Sequence, residues 1–166
     1  MSEPGAREAA AVALVTLRRR VDEHFAAAMA RSPEAMQCRA GCDGCCRVRI
    51  SVFAIEAERI AAKLRTLDPD LRERVRAEAD DASRCALLVD GRCVVYEERP
   101  LICRSHGVPA RIGGRTQCCA LNFVEGDPPA ASVLQLDAVN QPLAVMATMH
   151  DGVGDRIALA DLAKAR

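Results

Sequence analysis

Aromatic residues are nearly missing. Of 166 residues, one is Tyr, three are Phe and none is Trp. A core must therefore rest on Ala, Leu, Val and Ile, which bury less area per residue than aromatics do. Such a core gains from an added staple, and a bound metal is one. No uninterrupted apolar run approaches the about 18 residues of a membrane span. The opening MSEPGAREAA has neither the basic start nor the apolar centre of a signal peptide, so the expected location is the cytoplasm. Net charge is also missing, with 23 basic against 23 acidic residues, which gives no support for a nucleic-acid or membrane partner. There is no P-loop, no GxGxxG and no defensible Ser/His/Asp arrangement. No catalytic motif is found, and enzymatic activity is left open.

Nine cysteines are present, a high count for this length. In a reducing compartment clustered cysteines are ligands more often than disulfides, and an odd number cannot pair fully. The first group runs Cys38-x3-Cys42-x2-Cys45-Cys46. Thiolates are soft donors that select Zn, Fe–S or Cu(I), and spacings of two and three let one loop wrap one centre. Gly41 and Gly44 let that backbone turn tightly. Successive side chains point in different directions, so Cys45 and Cys46 do not close comfortably on one tetrahedral ion. Either they serve two centres, or they bind different irons of one cluster, or one is a packed thiol. The same spacing occurs in radical-SAM enzymes, but the strand–helix alternation of their partial barrel is missing here.

The second group is Cys85, Cys93 and Cys103, followed by Cys118 and Cys119. These gaps exceed one knuckle and suit a long loop that folds back to complete the site begun at Cys38. Arg99 and Arg104 flank Cys103 and are candidates to offset thiolate charge. His106 is either a nitrogen ligand or a polar neighbour of the site. His24 and His150 carry no metal expectation. Tyr96 is expected to pack on the Arg99-Pro100 turn, and Glu97 and Glu98 to form a solvated turn. Arg18, Arg19 and Arg20 read as a solvated helix face.

Helical spacing of apolar residues predicts a first helix over about 6–30, with Val12, Leu14, Val15, Leu17, Val21, Phe25 and Met29 as its stripe. A second helix is predicted over 51–67 with Ser51 as N-cap, and a third from Asp68-Pro69. Regular structure is expected to be sparse over 84–119. Helix resumes in the tail, interrupted near Asn140 and Pro142, with a last short helix over 156–165. The expected fold is mainly α: one small domain of helices around a loop-rich, metal-stapled cysteine core. Its parts are an N-terminal helix (1–35), the cysteine region (36–123) and a helical tail (124–166).

The segments CRAGCDGCC, CALLVDGRCVVYEERPLICRSHGVP and CALNF together resemble the YkgJ-type cysteine-cluster family, described as a zinc- or iron-chelating domain and also as Fe–S oxidoreductases. The match covers about Cys38 to Phe123. It implies eight metal-ligand positions: Cys38, Cys42, Cys45, Cys46, Cys85, Cys93, Cys103 and Cys119. Cys118 is extra, and Ala86-Leu87 replaces the usual Pro-Phe. One branch of that family is a flagellin lysine methylase, and the match is to its cysteine cluster, so methyl transfer is not implied. The first expectation is an iron–sulfur cluster, most simply [4Fe–4S], in electron transfer or maturation, with an unidentified protein partner or electron donor. The alternative is a zinc module with one or two Cys-rich sites. Cu(I) storage would want more cysteines along helix faces.

Overall fold

The computed structural model describes residues 4–39 and 41–165, so the expected segments 1–35 and 124–166 extend past the described residues at the two ends. The fold is mainly α. Six helices are described: α1 (Pro4–Arg31), α2 (Ala54–Arg65), α3 (Pro69–Glu78), α4 (Leu101–Ser105), α5 (Asp137–Asp151) and α6 (Leu159–Lys164). Seven short strands tie the loops: β1 (Ser51–Phe53), β2 (Leu88–Val89), β3 (Arg92–Cys93), β4 (Ala110–Ile112), β5 (Arg115–Gln117), β6 (Leu134–Gln135) and β7 (Arg156–Ala158). None of these helices is long and apolar enough to cross a membrane.

The first helix forms as predicted, but its stripe differs. Ala10, Leu14, Leu17, Val21 and Ala28 are buried, whereas Val12 and Val15 face water. Small Ala10 carries part of the seam against α5, and Ala28 packs on Met36 and Val108, neither of which the apolar pattern revealed. Arg18 leaves the expected solvated face. It is buried and bonds Glu98 Oε2 at 2.7 Å and the Glu97 carbonyl at 2.6 Å.

Ser51 is not a helix cap. It begins β1, which pairs antiparallel with β7 (Ser51↔Ala158, Phe53↔Arg156), and Phe53 occupies the N-cap position of α2. Long-range pairing overrides the local capping signal, and the same pairing makes 156–158 a strand rather than the start of the last helix. Asp68 does cap α3, accepting from Asp70 N at 2.9 Å ahead of Pro69. The expected break at Pro142 is absent: α5 runs through it. Pro142 lies in the second turn, so it removes a single backbone bond near the helix start rather than dividing the helix.

Two aliphatic clusters make up most of the core. One joins α2, α3, α6 and the β2–β3 hairpin through Ile60, Leu64, Val75, Leu87, Val95 and Leu159. The other joins α1, α2 and α5 through Leu14, Val21, Ile55, Val139, Leu143 and Met146. A third, small cluster (Ala28, Met36, Val108) sits beside the first cysteine segment and takes in Phe25 and Phe123. Ile60 has no exposed surface. Ile60→Ala is expected to cost about 2–5 kcal/mol, read as a lower urea midpoint at unchanged slope.

Candidate metal centre

Four segments between the helices deliver the cysteines. In the first, Cys42 N bonds Arg39 O at 3.0 Å and Cys46 N bonds Asp43 O at 2.8 Å, which makes consecutive tight turns. Gly41 sits at φ +86°, a region that favours glycine. The second segment is stitched directly to the first, since Cys85 N donates to Cys46 O at 2.7 Å. It then forms the β2–β3 hairpin over Asp90-Gly91, with Leu88 opposite Cys93. This Asp-Gly pair has φ of 51° and 70°, as a tight two-residue hairpin requires.

Cys103 rides on α4. Glu56, buried in the first turn of α2, accepts from Leu101 N at 2.7 Å and from the Phe53 amide, so one carboxylate caps two helix starts. Burial raises the Glu56 carboxyl, an effect the two amides and nearby arginines only partly offset. The turn before α4 is gripped by arginines. Arg18 and Arg59 both bond Glu98, and Arg104 bonds Asp22, the Arg99 carbonyl and the Glu97 carbonyl. Burial would raise the Glu98 carboxyl, but the Arg59 and Arg18 bonds outweigh it and hold it low. Glu98 is thus an ion-pair hub rather than a solvated residue, while Glu97 stays exposed as expected and lends only its carbonyl.

The last segment turns on Asn122, which the sequence reading passed over. Its side chain is buried. Nδ2 donates to Cys38 Sγ at 3.4 Å and to Gly107 O at 2.6 Å, Oδ1 accepts from Gln37 N at 2.7 Å, and its own N–H reaches Cys119 O at 2.9 Å. One amide therefore holds three segments at Cys38. The signal available in the sequence was only its place in CALNF.

The sulfurs sense one another. The Cys38 thiol is raised by burial, lowered by the Asn122 bond, and raised again by the charges of Cys119, Cys42 and Cys45. Cys46 donates to Cys45, which lowers Cys45 to about 6 against burial, with His106 assisting; the donor Cys46 is correspondingly pushed up. Burial raises Cys85 and Cys93, while the amides of Leu87 and Val95 respectively bond their sulfurs and lower them. Cys103 is pushed up to about 12 by burial and by the charges of Cys85, Cys93 and Cys45. Cys42 and Cys119 thus reach Cys38, and Cys45 links Cys38 to Cys46, Cys85, Cys93 and Cys103. Cys118 stands apart, exposed and donating to Asn122 O. All nine are free thiols. The eight positions that the resemblance implied are thus linked neighbour to neighbour through Cys38 and Cys45.

The sequence profile of the CxxCxxCC family, described as "Putative zinc- or iron-chelating domain", matches residues 37–122, just over half of the chain. The chain belongs to the CxxCxxCC family. No curated protein and no solved structure matches it. The CxxCxxCC residues suit either metal in donor chemistry: soft thiols, with backbone N–H groups aimed at two of the sulfurs. Packing adds a cradle, because a Cβ on Gly107 would lie 2.5 Å from Cys38 Sγ. Among the described residues no three Cys, His, Asp or Glu side chains stand in a metal-holding group.

The other expected participants divide. Arg99 lies over the Tyr96 ring at 4.0 Å, and its charge reaches Cys93. Tyr96 is exposed and packs on Arg99 as the sequence suggested. Arg104 serves Asp22 and backbone carbonyls rather than a sulfur. Arg49, which bonds the Asp81 and Ala79 carbonyls, supplies charge to Cys85 instead and was not anticipated. His106 is exposed beside Cys45. His24 donates to Ser132 O at 3.1 Å, and His150 is buried beside Glu58, both away from the sulfurs.

Raised thiols bind protons more tightly in the folded chain than in the unfolded one. Their contribution to stability is intact below the ordinary value of 9.0 and is lost as pH climbs toward the roughly 12 of Cys103. Metal-free protein is expected to lose urea resistance between about pH 9 and 12, and added zinc or iron(II) to abolish that loss, because ligation removes the protons. Gly107→Ala places a methyl on Cys38 Sγ at φ +103°. It is expected to cost about 1–3 kcal/mol and to speed modification of Cys38 by a thiol reagent, measured by denaturation and by mass spectrometry.

Proposed function

We propose that the chain holds an iron–sulfur cluster, most simply [4Fe–4S], on thiolates drawn from Cys38, Cys42, Cys45, Cys46, Cys85, Cys93, Cys103 and Cys119. Its role is electron transfer or maturation of a protein partner in the cytoplasm, and the metal staples an aromatic-poor core. One observation carries the choice of iron. Adjacent Cys45 and Cys46 act on each other directly, Cys46 as donor and Cys45 as acceptor, and Cys45 also lies in reach of Cys38 and of Cys85, Cys93 and Cys103. A continuous thiol assembly of that kind suits a polynuclear centre, whose several irons accept neighbouring ligands, better than isolated ions.

A second reading has its own support. The amide-to-sulfur bonds at Cys85 and Cys93, on either side of a short hairpin, suit one tetrahedral four-thiolate ion, and zinc in such a closed site is structural. Anaerobic purification separates the two. The expected product is brown, absorbs near ~400 nm and bleaches with dithionite. Colourless protein carrying stoichiometric zinc after anoxic handling overturns the iron reading. Cys42→Ser is expected to lower metal content and cooperative melting together, checked by elemental analysis and calorimetry on the same sample.

A further inference from the structure

A cavity of about 610 Å³ opens between β1, the end of α4, the β4–β5 hairpin and α5. That volume is in the range of small-molecule sites. Register and helical spacing aim two faces into it. Ala110 pairs with Gln117, and alternation puts Ile112 on the same face of the hairpin; all three line the cavity. Asn140, Leu143 and Ala144 stand at i, i+3 and i+4 on α5 and line it too. Val52, Phe53 and Val108 extend the apolar wall. The room exists because small residues, Gly107, Ala110 and Ala144, stand where larger side chains would fill it. At its mouth Ile102 is 52% exposed and Ile112 43%. Large apolar side chains thus meet water inside a concavity, where a ligand of matching shape would displace that water.

The polar groups of the wall select the occupant. Of Asp, Glu, Lys and Arg, only Glu56 and Arg156 line the cavity, and both are committed. Arg156 bonds Ser51 O at 2.5 Å and Ser51 Oγ at 3.2 Å and lies over the Phe53 ring. The Glu56 carboxylate receives two helix-start amides. Ser105 Oγ bonds the Leu101 carbonyl at 2.9 Å, the Cys118 thiol bonds the Asn122 carbonyl, and His106 acts on Cys45. What remains are the side-chain amides of Gln117 and Asn140, which have no hydrogen-bonding partner among the described residues. An amide recognises a neutral carbonyl or hydroxyl group. An ion would lose its water here without gaining a counter-charge.

We propose that this cavity binds a small uncharged molecule with an apolar body and one carbonyl or hydroxyl group, which the Gln117 and Asn140 amides hold. No metal enters the inference, so it stands or falls apart from the function proposed above. The test is equilibrium dialysis of the full chain, purified anaerobically with its metal content recorded, against three molecules of like body: 2-acetylnaphthalene, 2-ethylnaphthalene and 2-naphthoate. The expected result is saturable binding of about one 2-acetylnaphthalene per chain. Binding of 2-ethylnaphthalene is expected to be about tenfold weaker, because the amides lose their partner. Binding of 2-naphthoate is expected to be at least about tenfold weaker, because its charge must be desolvated.

Ala144 is an exposed α5 residue on the cavity wall. Ala144→Phe is expected to weaken 2-acetylnaphthalene binding about tenfold or more at unchanged melting. Gln117→Leu combined with Asn140→Leu, both at exposed positions, is expected to bring the acetyl and ethyl compounds within about twofold of each other. Absence of saturable binding, 2-naphthoate binding as tightly as 2-acetylnaphthalene, or binding that Ala144→Phe leaves unchanged overturns the site. So does a wild-type dimer that Ala144→Phe renders monomeric, since a second copy would then cover the cavity. An acetyl preference that is absent from the wild type, or that survives in the double variant, overturns the role given to the two amides.

Discussion

Thiolates repel one another, and the repulsion grows as water is withdrawn. Everything at the cysteine end of this molecule answers to that constraint. Burial and neighbouring sulfurs raise the thiols of Cys38, Cys85, Cys93 and Cys103, and Cys46 rises as it donates to Cys45. Amide hydrogens from Leu87, Val95 and Asn122 are the compensation the chain itself supplies. Arg49 and Arg99 add charge from a distance. These contributions hold the thiols near one another without closing them into a metal-holding group, and a soft divalent or cluster cation completes the balance.

Apart from the Asn122 bonds to Cys38 and Cys118 and the Leu87 and Val95 amides on Cys85 and Cys93, the scaffold's polar contacts do not use the sulfurs. Glu56, Arg18, Arg59, Arg104 and Asn122 join helices and loops through buried or half-buried hydrogen bonds that never pass through a metal. The aliphatic clusters around Ile60 and Leu14 lie behind them. Polar networks of this kind specify one arrangement, because breaking any member leaves a buried partner unsatisfied. That rigidity compensates for loops with little regular structure.

The helices, Asp68 as a cap and the cysteine positions were legible in the sequence because each depends on local spacing. The β1–β7 pairing was not, because Ser51 and Ala158 are distant in the chain and either segment alone reads as helix. Buried Arg18 looked like its exposed neighbours Arg19 and Arg20, since only the tertiary position of Glu98 distinguishes them. Asn122 and Gly107 had no spacing signal at all. Their roles arise where three loops cross, which one-dimensional pattern reading does not capture.

The β1–β7 ladder also orders events in time. Ser51 follows the first cysteine group by a few residues, yet its partner Ala158 lies far downstream. During synthesis Cys38 to Cys46 leave the ribosome long before the strand that anchors their exit exists. Cys103, Cys119 and Asn122 also arrive after them. The nascent chain thus carries four loosely held cysteines until those later segments emerge, exposed to adventitious metal and oxidants. The full constellation forms only once Cys119, Asn122 and the distant β7 strand have joined the first cysteine group.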